Sequence, residues 1–129
     1  LVLAATMAND DTSQGEAYNF GPSADQNYPV SELINEMSKY WDQVKWNDIS
    51  RKKDHIYESG LLKLNCDKAL SDLDWYSTLQ FDETIQMTVE WYKTYYQNKD
   101  QSMYDFTISQ IQKYTKLANS RGLTWASND

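Results

Sequence analysis

The side chains with chemical potential in this sequence are one imidazole, one thiol and many carboxylates and phenols. The imidazole, His55, lies in the polar stretch "SRKKDHIYESG" (50–60) and titrates near neutral pH; it is either a site residue or an exposed loop histidine. Glu58 in the same stretch is either an acceptor for a ligand hydroxyl or a solvated carboxylate. Asn19 stands inside the otherwise apolar "AYNFG". A half-buried amide must have partners, here either backbone groups of the next loop or a ligand. Tyr18 and Phe20 beside it read as packing residues.

Other chemistries are excluded. Cys66 and His55 cannot close a zinc site, which takes four N/S ligands. The four glycines build neither a P-loop nor a dinucleotide fingerprint, and no G-x-S-x-G elbow occurs. Tyr95 and Lys99 have the Tyr-x-x-x-Lys spacing of a dehydrogenase base and its helper lysine, yet they fall at a helix end with no nucleotide-binding unit before them. With ten tyrosines present, that spacing arises by accident. No catalytic residue, cofactor site or metal site is expected within this chain.

The elements that must position the candidates follow from periodicity. Residues 1–8 read as helix, "AYNF" (17–20) as a short strand stopped by Gly21-Pro22, and a helix begins at Pro29 with Val30, Leu33, Ile34, Met37 and Trp41 on one face. "VKWNDI" (44–49) alternates like a strand. "LLKLNCDKALSDLDW" (61–75) predicts a strand over Leu61–Leu64, an N-cap at Asn65, and a helix whose apolar side is Ala69, Leu70 and Leu73. Trp75 plugs its open end. Two longer helices are predicted, over 81–97 and 104–118, with fraying from Asn119 to Asp129. The expected fold is α+β: four or five helices with two or three short strands, too few to close a covered sheet.

The totals narrow the partners. A net charge of −7 and a pI near 4.6 argue against nucleic acid, which needs clustered cations. The one basic cluster, Arg51-Lys52-Lys53, reads as a solvated loop. No apolar run reaches the roughly 20 residues of a membrane span, and the start lacks the basic region of a signal peptide. A single cysteine forms no internal disulfide and fits a reducing, cytoplasmic setting. Aromatic content of 14% argues for a folded module. The abrupt apolar start, Leu-Val-Leu-Ala-Ala with no Met, reads as the back half of a helix, and its exposed surface predicts self-association of the chain.

In order, "GEAYNFGP", "VSELINEMSKYW", "HIYESGLLKLNCDKALSDLDW", "FDETIQMTVEWYKTYY" and "DFTISQIQKY" resemble the C-terminal part of the CDP-glucose 4,6-dehydratase family. That family is a branch of the extended short-chain dehydrogenases/reductases. The resemblance covers roughly residues 1–118. It implies a C-terminal substrate-binding lobe whose partner is its own N-terminal Rossmann lobe. The Rossmann lobe would hold NAD and all catalytic residues, so this chain alone would be inactive. The reaction implied oxidises C4 of a nucleotide-linked glucose, eliminates water across C5–C6 and returns the hydride to C6. By the same resemblance, Asn19 and the stretch holding Asp54, His55, Tyr57 and Glu58 touch the sugar nucleotide. Two positions depart from the pattern. Asp74 stands where the superfamily usually has Gly, and Tyr57-Glu58-Ser59 stands where the CDP-glucose branch commonly has His-Glu-Ala. Glu58 is kept; the neighbouring ring differs. Related epimerases and dTDP-glucose dehydratases share much of the pattern, and a self-standing acidic interaction module is the alternative from another class.

Overall fold

The computed structural model describes residues 2–13, 15–23, 25–47 and 64–127, and every regular element among them is helical. In chain order these are α1 (Val2–Ala8), α2 (Val30–Tyr40), α3 (Asp67–Leu73), α4 (Phe81–Gln97), α5 (Met103–Ser120) and a 3-10 turn over Thr124–Ala126.

The α+β expectation is therefore corrected: no strand occurs among the described residues. A strand requires a neighbour about 4.8 Å away along a ladder of backbone bonds, and alternation of apolar side chains does not supply one. Residues 17–20 and 64–65 lie close to each other, yet the hydrogen bond joining them runs from the Asn19 side chain to the Asn65 carbonyl. Residues 44–47 form no strand either. Residues 48–49 and 61–63, the rest of the expected second and third strands, lie outside the described residues.

The helices follow from local chemistry. Pro29 precedes α2 at φ −68°, a value its ring already fixes. Asn65 Oδ1 accepts from the Asp67 N–H at 2.8 Å, so it satisfies an orphan donor at the start of α3 from one position earlier than the cap residue, Cys66. α4 opens with Asp82 and Glu83, and Glu83 Oε2 accepts from the Gln80 N–H at 2.8 Å. Ser102 caps α5 by accepting from the Asp105 N–H at 3.2 Å.

α3 ends on Asp74 in the left-handed region, φ 48° and ψ 37°, while the Trp75 N–H returns to the Ala69 carbonyl. Glycine occupies such a position without the Cβ clash that Asp carries. Asp74→Gly is expected to stabilise the chain by about 0.5–1 kcal/mol, read as a higher thermal midpoint. A lower one would show that the Asp74 side chain contributes more than its backbone strain costs.

α4 is the central element, with α2 and α5 packed on it and the 3-10 turn on α5. Tyr28 stacks on Phe81 at the start of α4 and Trp41 on Tyr96 near its end, with ring centroids 3.9 and 6.1 Å apart, so α2 follows α4 along its length. Lys93 Nζ donates to the Tyr40 carbonyl at 3.1 Å. Across the other seam Trp91 Nε1 donates to Thr107 Oγ1 at 2.9 Å, and Gln110 Nε2 to the Met87 carbonyl at 2.8 Å.

The core is thin. Among the described residues the buried apolar side chains are Ala69, Ile85, Val89, Ala118 and Ala126. Past residue 118, where fraying was expected, α5 continues to Ser120 and Gly122 turns the chain at φ 73°. Asn119 Nδ2 then donates to the Ala126 carbonyl at 2.9 Å, and Trp125 stacks on Tyr114.

Candidate functional site

The segment 16–21 lies along α3 and is fixed to it by side chains. Asn19 Nδ2 donates to the Asn65 carbonyl at 3.3 Å, Tyr18 hydroxyl to Asp72 Oδ2 at 3.4 Å, and Lys68 Nζ pairs with Glu16 Oε2. Lys68 also sits 4.4 Å above the centre of the Tyr18 ring, a cation–π contact. Phe20 meets Trp75 edge-on with centroids 5.1 Å apart. Gly21 lies so close that a Cβ there would touch Cys66 Sγ at 3.4 Å. The periodicity of α3 explains the arrangement: Lys68 and Asp72 are one turn apart and face the segment together, while Ala69 is buried.

Of the expected substrate-binding residues, Asn19 is the one the structure describes. Its amide nitrogen donates to the backbone of a distant residue, Asn65, and not to the loop that follows it, and the side chain is exposed. Asp54, His55, Tyr57 and Glu58 lie outside the described residues. Sequence reading missed Lys68 and Asp72. The i, i+4 spacing of a lysine and an aspartate on one helix was the available signal.

The electrostatics centre on Lys68. Its hydrogen bond to Glu16 holds that carboxyl below the usual carboxylate range and pushes the Lys68 ammonium up. Partial burial raises the Tyr18 phenol, with the Asp72 carboxylate adding to it and the Lys68 cation opposing it. At neutral pH the patch therefore presents one ammonium beside two carboxylates, Glu16 and Asp72, with a neutral phenol and the Asn19 amide. Such a set can hydrogen-bond a hydroxyl-bearing ligand, and Lys68 reaches an anion only by releasing Glu16; among the described residues it brings no nucleophile to a base.

A cleft of about 270 Å³ opens one ring beyond Phe20, lined by Pro22, Gln26, Trp75, Thr78, Phe81 and Tyr114. A larger hollow of about 600 Å³ lies between α2 and the start of α4. Its wall carries Glu32, Glu36 and Asp82 against one cation, Lys39, which is the wrong sign for a phosphate-bearing ligand. No group of three or more metal-ligating side chains occurs among the described residues. Nor do those residues fit a dinucleotide. The caps of α2 to α5 are Pro29, Cys66, Gln80 and Ser102, so none of these helices opens on the glycine-rich turn that a pyrophosphate needs. No described helix is long and apolar enough to cross a membrane.

The chain is similar to a CDP-glucose 4,6-dehydratase from Salmonella typhimurium (strain LT2), with 28% identity over 101 residues. The matched region is 78% of this chain and 28% of that protein, so the chain spans less than a third of its relative's length. No family model matches the chain. No solved structure matches it.

Proposed function

We propose that this chain is the sugar-nucleotide-binding lobe of a dehydratase of the CDP-glucose type and is inactive alone. The observation that carries the reading is the similarity to a CDP-glucose 4,6-dehydratase across 78% of the chain. Asn19 itself donates to the Asn65 carbonyl beside α3. In this reading Asn19 and the side chains of Asp54, His55, Tyr57 and Glu58 contact the ligand, and Lys68 supplies a cation near its phosphates. NAD and the reacting groups belong to a Rossmann lobe that docks beside this one, in the cytoplasm. The described residues supply positioning and no step of the redox chemistry.

The test is an NMR titration of the labelled chain with CDP, and in parallel with dTDP and UDP to separate the related branches. The largest shifts are expected at Asn19, Glu58 and Lys68, with CDP bound most tightly. Asn19→Ala is expected to weaken CDP binding about tenfold, as loss of one ligand hydrogen bond would. Shifts at these three no larger than the chain average would refute the site.

A further inference from the structure

The Lys68 ammonium, in the first turn of α3, has three contacts, and they differ in kind. Nζ pairs with Glu16 Oε2, donates to the Ala17 carbonyl at 3.5 Å and sits 4.4 Å above the Tyr18 ring. Glu16 alone of the three is charged. The Tyr18 ring is tied back to α3 through its hydroxyl and Asp72, so it stays in place under the ammonium whatever Glu16 does. Lys68 therefore keeps two uncharged contacts, and its position, when the carboxylate leaves.

Glu16 is free to leave. The anchors of its segment are Tyr18 on Asp72, Asn19 on the Asn65 carbonyl and Phe20 on Trp75, and Glu16 precedes all of them. On its other side stands Gly15, at φ 78° and with open space where a Cβ would be. Side-chain exposure is 44% for Lys68 and 52% for Glu16, so a dissolved ligand reaches both ends of the pair. An ion pair this open is weak, because water and salt compete for both partners.

From this we infer that Glu16 is an internal competitor for the phosphates of the nucleotide. It occupies Lys68 in the free chain, a phosphate oxygen displaces it on binding, and its return favours release. The inference rests on the sugar-nucleotide reading and adds a residue that sets how strongly the phosphates count. A ligand that uses Lys68 gains that contact less the one Glu16 loses, and the displaced carboxylate stays near enough to repel the phosphate. A ligand without phosphate never meets the competition. Glu16 thus discounts the phosphates common to all nucleotides and leaves selection to the uncharged contacts, Asn19 among them. A purely structural pair would act in the opposite direction: neutralising Glu16 would loosen the segment that carries Asn19 and weaken binding.

NMR titrations of the chain, Glu16→Gln, Lys68→Met and the double variant with CDP and with cytidine test it. Glu16→Gln is expected to bind CDP about three- to fivefold more tightly than the parent and cytidine no differently. In the Lys68→Met background the same substitution is expected to change nothing. CDP affinity that is unchanged or weaker in Glu16→Gln would overturn the inference, and so would a tightening that persists without Lys68, since that would report only the lower negative charge. Either result leaves the sugar-nucleotide reading standing, provided CDP still shifts Asn19. CDP that does not bind, or binds without shifting Asn19 and Lys68, would overturn both.

Discussion

Val89→Asp is expected to abolish cooperative folding. Val89 is the largest fully buried side chain among the described residues, 1% exposed, at the centre of the helix on which α2 and α5 pack. A carboxylate there would lose its water, and the cation one turn on, Lys93, is already engaged by the Tyr40 carbonyl, so the penalty is several kcal/mol. The protonated acid avoids the charge but still lacks the valine's apolar contacts, and leaves polar oxygens without partners. Small domains are stable by about 5–15 kcal/mol, and a core with three alanines among its five buried apolar residues belongs at the low end. Ile85→Ala, one turn earlier, should be milder, about 2–4 kcal/mol through lost burial and a residual cavity. Thermal melts followed by circular dichroism separate the two. A cooperative transition for Val89→Asp within a few degrees of the parent would mean that α4 is not the hub.

The helices were legible in the sequence because each is announced locally. Pro29, the acidic pair Asp82–Glu83 and the polar Ser102 mark three starts, and the 3.6-residue spacing of apolar residues marks the extents. The strands were not, because pairing is a property of two segments. "AYNF" satisfies the pattern of a strand, but its neighbour meets it through Asn19, Tyr18 and Lys68 side chains. The contact of Trp125 could not be read from the sequence for a related reason: Tyr114, eleven positions earlier, is brought beneath it by the turn at Gly122. The sequence predicts a half-buried Asn19; in the structure it is exposed, and its amide bonds to the Asn65 carbonyl. Lys68 was not legible, because a lysine on a short helix looks solvated until its partner across the fold, Glu16, is known.

The exposed tyrosines and the thin core have one physical origin. α4 has apolar or aromatic residues around most of its circumference: Ile85 and Val89 are buried, Trp91 bridges to α5, and Tyr92 and Tyr95, against the Trp91 ring, stay about half exposed. A helix apolar on more than one side requires neighbours on more than one side. α2 and α5 supply two of them. The third side has no described helix over it, and the patch at Asn19 and Lys68 is built by the segment 16–21 and α3 together.

Arg121→Met is expected to be the most damaging substitution outside the core, at about 2–3 kcal/mol. The guanidinium joins three pieces of chain. Nη1 donates to the Thr78 carbonyl and to Glu83 Oε2 at 3.0 Å, and Nη2 to Glu83 Oε1 at 2.6 Å, so the loop before α4, the first turn of α4 and the end of α5 share one fork. Thr78 is 2% exposed, and its hydroxyl donates to the Tyr114 hydroxyl at 2.8 Å. Without Arg121 the Thr78 carbonyl loses this donor in a place water reaches poorly. Glu83→Gln keeps the bond geometry and removes the charge, so it should cost about 1 kcal/mol. A double-mutant cycle should show coupling well above that of an exposed pair, because both side chains are about 70% covered. The same fork sets a pH signature. The Arg121 hydrogen bonds foremost, then the Gln80 N–H, hold the Glu83 carboxyl below its ordinary value of 4.5. A depressed carboxyl binds its proton more readily in the unfolded chain, so its stabilisation is complete above pH 4.5 and fades as pH falls through the lower folded value. The parent should therefore lose stability on acidification below pH 4.5 more steeply than Glu83→Gln does, and matching slopes would show that the fork contributes no charge-dependent stability.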